Sequence, residues 1–330
     1  MKARYICSIF IVALCLIACQ ETQPTNGVME ESILEDSTAI VKPFAKEIFS
    51  SFSNARDFAM TNDETEAYLS LQSPGRELSV IMKIENVNGI WNAPEISSFS
   101  GHYTDLEPFL SPDNLKLYFA SNRPVSSDST NTKDFDIWYV ERSSLTASWS
   151  EPINIGAPVN SSADEFYPAV AKNNNLYFTC IIDSLQSSDD IFKSEWINNS
   201  YTKPVLLGDG VNTKGAEFNA YISPDESYLI FGGWRRPDGV GAGDLYISKF
   251  KDGEWQQAEN LGSEINSKQT DFCPFVLNET LYFTSRRSQV TMKEGGFKSY
   301  EELLSEINKY QNGFSRIYMT NFNNLIQAED

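Results

Sequence analysis

The chain has 330 residues, with 26 basic and 45 acidic side chains and a formal net charge of −19 at pH 7. That sign repels phosphate backbones and excludes nucleic acid as a partner. A single histidine, His102, excludes serine triads, histidine zinc sites and metalloprotease helices, while an aromatic content of 13% with scattered Gly and Pro suits many short strands.

In chain order, Lys2 and Arg4 precede an apolar run over residues 5–17 that is too short for a permanent membrane span. It ends in Leu16-Ile17-Ala18-Cys19, which resembles a bacterial lipobox. The resemblance implies that residues 1–18 leave as a signal peptide and that Cys19 is lipidated. Acyl chains would then hold the mature protein on a membrane. Gln20 in place of Asp resembles outer-membrane sorting, so the expected location is the cell envelope, facing periplasm or exterior. Residues 19–42 are polar and acidic without a sustained period, and read as a flexible tether.

The domain is expected over residues 43–330. Residues 105–123 (DLEPFLSPDNLKLYFASNR) read as a short strand, a Ser-Pro-Asp turn and a second strand. The unit recurs in DEFYPAVAKNNNLYFTC from Asp164, AEFNAYISPDESYLIFG from Ala216 and TDFCPFVLNETLYFTS from Thr270, with a fainter copy from Arg56. Aligned at Phe58, Pro108, Pro168, Ala220 and Pro274, the copies repeat roughly every 50 to 60 residues, the signature of a β-propeller with four strands per blade. The S-P-D turn, L-Y-F strand, S-N-R and later D-I-W-Y strand resemble the TolB-type, WD-repeat-like propeller repeat of bacterial envelope proteins. An all-β, five-bladed propeller follows, six blades being the alternative. Residues 43–51 read as an outer strand that completes the last blade and closes the ring.

Within the copies, Trp91, Trp149, Tyr201 and Trp255 precede the outer strands and read as wedges between blades. The loops after second strands are long at residues 122–135, 234–243 and 288–314, and the last holds an N-capped helix after Ser299. One elaborated face results, and function concentrates on such faces. Acids at the inner strands, Asp57, Asp105, Glu165, Glu217 and Asp271, are expected to ring the mouth of the axial channel there. Arg123, Arg235 and Arg286 reach the same face. The ring could bind a ligand or hold calcium, the one cofactor it would suit, or simply pair with those arginines. Cys180 and Cys273 fall in separate blades and read as small buried hydrophobes rather than a disulfide.

No catalytic set stands out. The expected function is a monomeric, lipid-anchored, non-catalytic module that binds a protein partner or glycan through the elaborated face. The alternative is a glycoside hydrolase using axial carboxylates, with Asp105 and Glu217 as base and acid.

Overall fold

A computed structural model of the chain describes residues 40–52, 54–126, 132–181 and 189–323. The expected signal peptide, Cys19 and the tether up to residue 39 lie outside them. Among the described residues five antiparallel sheets of four or five strands form, one per sequence copy, with a small two-stranded hairpin beside the third, so the propeller has five blades. Their innermost strands are Ala55–Met60, Asp105–Leu110, Glu165–Val170, Glu217–Ile222 and Asp271–Leu277. In blade two the order outward is Asp105–Leu110, Lys116–Ser121, Asp136–Glu141 and Ile153–Asn154. Both faces of a blade meet a neighbour. The second strand therefore carries the continuous apolar run Leu117, Tyr118, Phe119, Ala120, all buried.

The Ser-Pro-Asp turn forms as its chemistry dictates. Ser111 donates to Asp113 Oδ1 at 2.6 Å and accepts from Lys116 N at 2.9 Å, and Asn114 takes the left-handed conformation (φ 58°). Thr61 and Asp63 in blade one, and Ser223 and Asp225 in blade four, lead to Glu64 and Glu226 in the same conformation.

The N-terminal segment closes the ring, with Lys42 opposite Met319 and Pro43 opposite Tyr318. Its strand is shorter than residues 43–51. Ala45 adopts φ 43° and turns the chain into a single helical turn, Lys46–Phe49. That turn sends Phe44 and Phe49 into the core, where Phe44 lies tilted 4.7 Å from Phe58 and edge-on 5.6 Å from Trp91. The other wedges act alike. Trp149 meets Tyr68 edge-on and donates to its hydroxyl at 2.9 Å, and Trp255 meets Tyr177 at 6.2 Å. Tyr201 is smaller than the tryptophans, and a cleft of about 370 Å³ opens beside it between blades two and three.

Every inner strand breaks register at the same place, between its second and fifth residues. The third residue is left-handed in all five: Asp57 (φ 59°), Glu107 (61°), Tyr167 (46°), Asn219 (55°) and Cys273 (50°). A proline follows in three of them (Pro108, Pro168, Pro274), where a ladder donor is not needed. Such bulges re-aim a side chain, here toward the axis.

Candidate functional site: the axial pocket

The bulges decide what converges on the axis. Asp57 accepts from the Cys273 thiol at 2.8 Å and from Arg56 Nε at 2.6 Å. The Glu107 carboxylate accepts from Arg56 at 2.9 Å, Tyr167 N at 2.7 Å and Asn219 Nδ2 at 3.2 Å. Tyr167 reaches across to donate to Pro274 O at 2.9 Å. All five blades thus meet through the third residue of the inner strand.

The backbone N–H groups freed at four of the bulges find partners on the preceding blade. Asp57 N donates to Thr284 Oγ1, Glu107 N to Ser70 Oγ and Asn219 N to Thr179 Oγ1. Blade two offers Ala120 at that position, and the Glu107 carboxylate takes the place of the missing hydroxyl for Tyr167 N. Burial, then the nearby Asp57, pushes Glu107 well above the ordinary carboxylate range, against the pull of Arg56. Burial and Asp57 also raise the Cys273 thiol well above its usual value, so it stays protonated and unreactive at neutral pH.

Below this layer the axis is closed. Phe109 of blade two lies 6.3 Å from Tyr221 of blade four and 6.5 Å from Phe275 of blade five. The expected channel is therefore a blind pocket of about 650 Å³, opening where the inner strands begin, on the elaborated face. Its floor is Arg56, Glu107 and Asn219, its walls are Phe135, Phe166, Phe218 and Phe272, and Trp234, Arg76, Arg286 and Asp189 stand toward its rim. Gly232 lies under Phe218: a Cβ there would stand 2.7 Å from the ring, so glycine lets the phenyl lie flat against blade four.

The sequence-predicted acids are placed differently. Register aligns Asp57 with Glu107, two residues beyond Asp105, and blade one carries Ala55 at the acid position of the others. Asp105, Glu165, Glu217 and Asp271 are at most 1% exposed and do not line the pocket. Each instead clasps the connection that enters its blade. Asp105 pairs with Arg123 at 2.6 Å and accepts from Ser100 at 2.7 Å. Asp271 accepts from Ser267 N and Oγ and pairs with Arg287 at 3.2 Å. Glu217 accepts from Thr213 N and Oγ1, with Arg236 at 3.6 Å. Glu165 accepts from Ser161 N and Oγ, but blade three carries no arginine after its second strand and, among the described residues, Glu165 Oε2 has no hydrogen-bond partner. The acid ring expected at the mouth is thus four separate clasps, each closed on a Ser or Thr four or five residues earlier in the connection that enters the blade.

Of the predicted arginines only Arg286 lines the pocket. Arg123 is consumed by Asp105, and Arg235 lies exposed over the Trp234 ring at 5.3 Å. Calcium does not fit. The carboxylates that do meet at the axis, Asp57 and Glu107, already share the Arg56 guanidinium, which repels a dication, and no metal-holding group of three acidic, Cys or His side chains occurs among the described residues. Cys180 and Cys273 are both free and buried, but neither is a plain hydrophobe, since each thiol faces a carboxylate. Arg56, Arg76, Glu107 and the phenylalanines were not singled out from sequence. The one available signal was the shared slot held by Leu106, Phe166, Phe218 and Phe272, one residue before the bulge.

No family model matches this chain, and no curated protein matches it. Among solved structures, it is similar to a GH43 endo-arabinanase from Bacillus licheniformis, at 13% identity and TM-score 0.49, covering 82% of this chain and 94% of that one. An endo-arabinase from Bacteroides thetaiotaomicron gives 15% identity and TM-score 0.46, covering 75% and 98%. Hydrazine synthase from Kuenenia stuttgartiensis gives 10% and 0.46, covering 72% and 36%. Overlaps of this size assign no chemistry to the chain, which rests on its own geometry.

Proposed function

We propose that this chain is a saccharide-binding propeller, displayed at the cell envelope on a lipid anchor at Cys19, with the axial pocket as its binding site. The observation that carries the reading is the composition of that blind pocket. Aromatic faces on several sides surround a floor of guanidinium, carboxylate and amide groups, with threonine hydroxyls elsewhere in the lining, the mix by which apolar ring faces and hydroxyls of one ligand are held together. A volume of about 650 Å³ lies in the range of small-molecule sites and suits an oligosaccharide end rather than a flat protein surface.

A glycan array followed by calorimetric titration of the purified protein tests it. Trp234 is exposed at the rim, so Trp234→Ala leaves the core intact and is expected to weaken binding at least tenfold. Gly232→Ala pushes Phe218 into the cavity and should weaken it similarly. Glycan binding indifferent to both changes would remove the axial pocket from the account.

Glycoside hydrolysis is the second reading, favoured by one observation. Glu107 lines the pocket and is raised well above the usual carboxylate range, as a general acid near neutral pH requires. Against it, both Glu107 oxygens are engaged by Arg56, Asn219 and Tyr167 N. Turnover of an array hit, abolished in Glu107→Gln, would promote hydrolysis over binding.

A further inference from the structure

The pocket has a cationic flank in a strongly acidic protein. Arg56 comes from blade one and Arg286 from blade five, and their guanidinium carbons stand 5.2 Å and 5.5 Å from the centre of one ring, Phe272. Arg76, on the exposed loop after the second strand of blade one, lines the same cavity. It also shares with Arg286 a smaller recess beside it, of about 180 Å³.

Only Arg56 is neutralised, by Asp57 and Glu107. Arg286 donates to Ser315 Oγ at 3.2 Å, and neither Arg286 nor Arg76 forms an ion pair among the described residues. Arg56 and Arg286 lie no farther apart than the sum of their distances to the Phe272 centre. Burial, followed by Arg76 and Arg56, lowers Arg286 below its ordinary pKa, as such crowding requires. An anion seated between Arg76 and Arg286 would compensate two guanidiniums that no carboxylate pairs among the described residues, and a planar guanidinium fork matches an oxyanion in two parallel hydrogen bonds.

Resting on the proposed binding role, we infer that the axial pocket selects an acidic saccharide, whose carboxylate or sulfate group is received by Arg76 and Arg286. The sugar ring then lies against the phenyl walls. The −19 net charge makes long-range attraction of an anion unfavourable, so selection comes from this local pair of guanidiniums rather than from steering.

Calorimetry with matched probes tests the inference: uronate trisaccharides, the same trisaccharides with each carboxylate reduced to a primary alcohol, and sulfated counterparts of the reduced forms. The uronate or the sulfated members are expected to bind at least tenfold tighter than the reduced ones, with affinity falling as salt rises. Whichever binds tighter identifies the group. Arg76→Gln and Arg286→Gln should each erase most of that preference, bringing the affinities of the acidic and reduced members together. Arg76 is exposed, so its variant reads recognition even if Arg286→Gln perturbs folding. Reduced forms bound as tightly as acidic ones, and still lost in Trp234→Ala, would overturn acidic selection while leaving the saccharide pocket standing. Absence of binding to every probe and every array glycan would remove both.

Discussion

Glu165→Gln is expected to flatten the dependence of stability on pH. Blades two, four and five each set an arginine beside the acid that opens the inner strand, at 2.6, 3.6 and 3.2 Å, and blade three does not. Burial therefore pushes Glu165 from its ordinary value of 4.5 up to about 7, against two hydrogen bonds from Ser161. A carboxyl raised on folding holds its proton more tightly in the native state, so the protonated form is the one folding favours. Its contribution is fully present below about pH 4.5 and is lost as pH rises through about 7. At about 1.4 kcal/mol per pH unit, the full effect is about 3 kcal/mol. Glu107, Asp189 and Glu217 are raised too, so wild-type stability reports all of them together. The difference between wild type and Glu165→Gln isolates one group. Urea unfolding at pH 5, 6, 7 and 8 should show the variant gaining about 2–3 kcal/mol on wild type across that range. Two parallel curves would refute the reasoning, because they would mean that Glu165 titrates equally in the folded and unfolded chain.

The clasps with arginine should behave oppositely. Arg123→Met leaves Asp105 buried and uncompensated and is expected to cost about 3–5 kcal/mol in urea melts, and adding Asp105→Asn should recover part of that loss. A double variant less stable than the single would contradict the ion-pair account. Tyr201→Trp restores the wedge found in other blades and fills part of the cleft between blades two and three. A gain of about 1 kcal/mol and a higher melting temperature are expected, whereas a lower one would show that the cleft is not an underfilled wedge site.

The sequence carries the blade count, the turns and the wedges openly because each depends on local chemistry repeated at a fixed period. Ser111-Pro112-Asp113 makes its turn from its own side chains, and Trp149 and Trp255 sit one hairpin before the outer strand wherever the sheet needs an aromatic between neighbours. Ring closure was legible for a similar reason, since the last copy lacked a fourth strand, although the Ala45 turn that truncates the closing segment was not.

The axis was decided by tertiary structure. Strand periodicity alone sends Asp105, Glu165, Glu217 and Asp271 toward the centre, but the bulge that follows each rotates the next side chains by one place, handing the axis to Asp57, Glu107, Tyr167, Asn219 and Cys273. Asp57 carries the right residue type at the wrong register, so it appeared to belong with acids it never meets. Arg286 and Arg287 are neighbours in sequence, yet only Arg287 sits where Arg123 does, two residues past the last serine of the second strand, and clasps the acid of its blade; Arg286, one place earlier, faces the pocket instead. Local chemistry repeats with the chain, whereas the pairing of charges across blades exists only once the ring has closed.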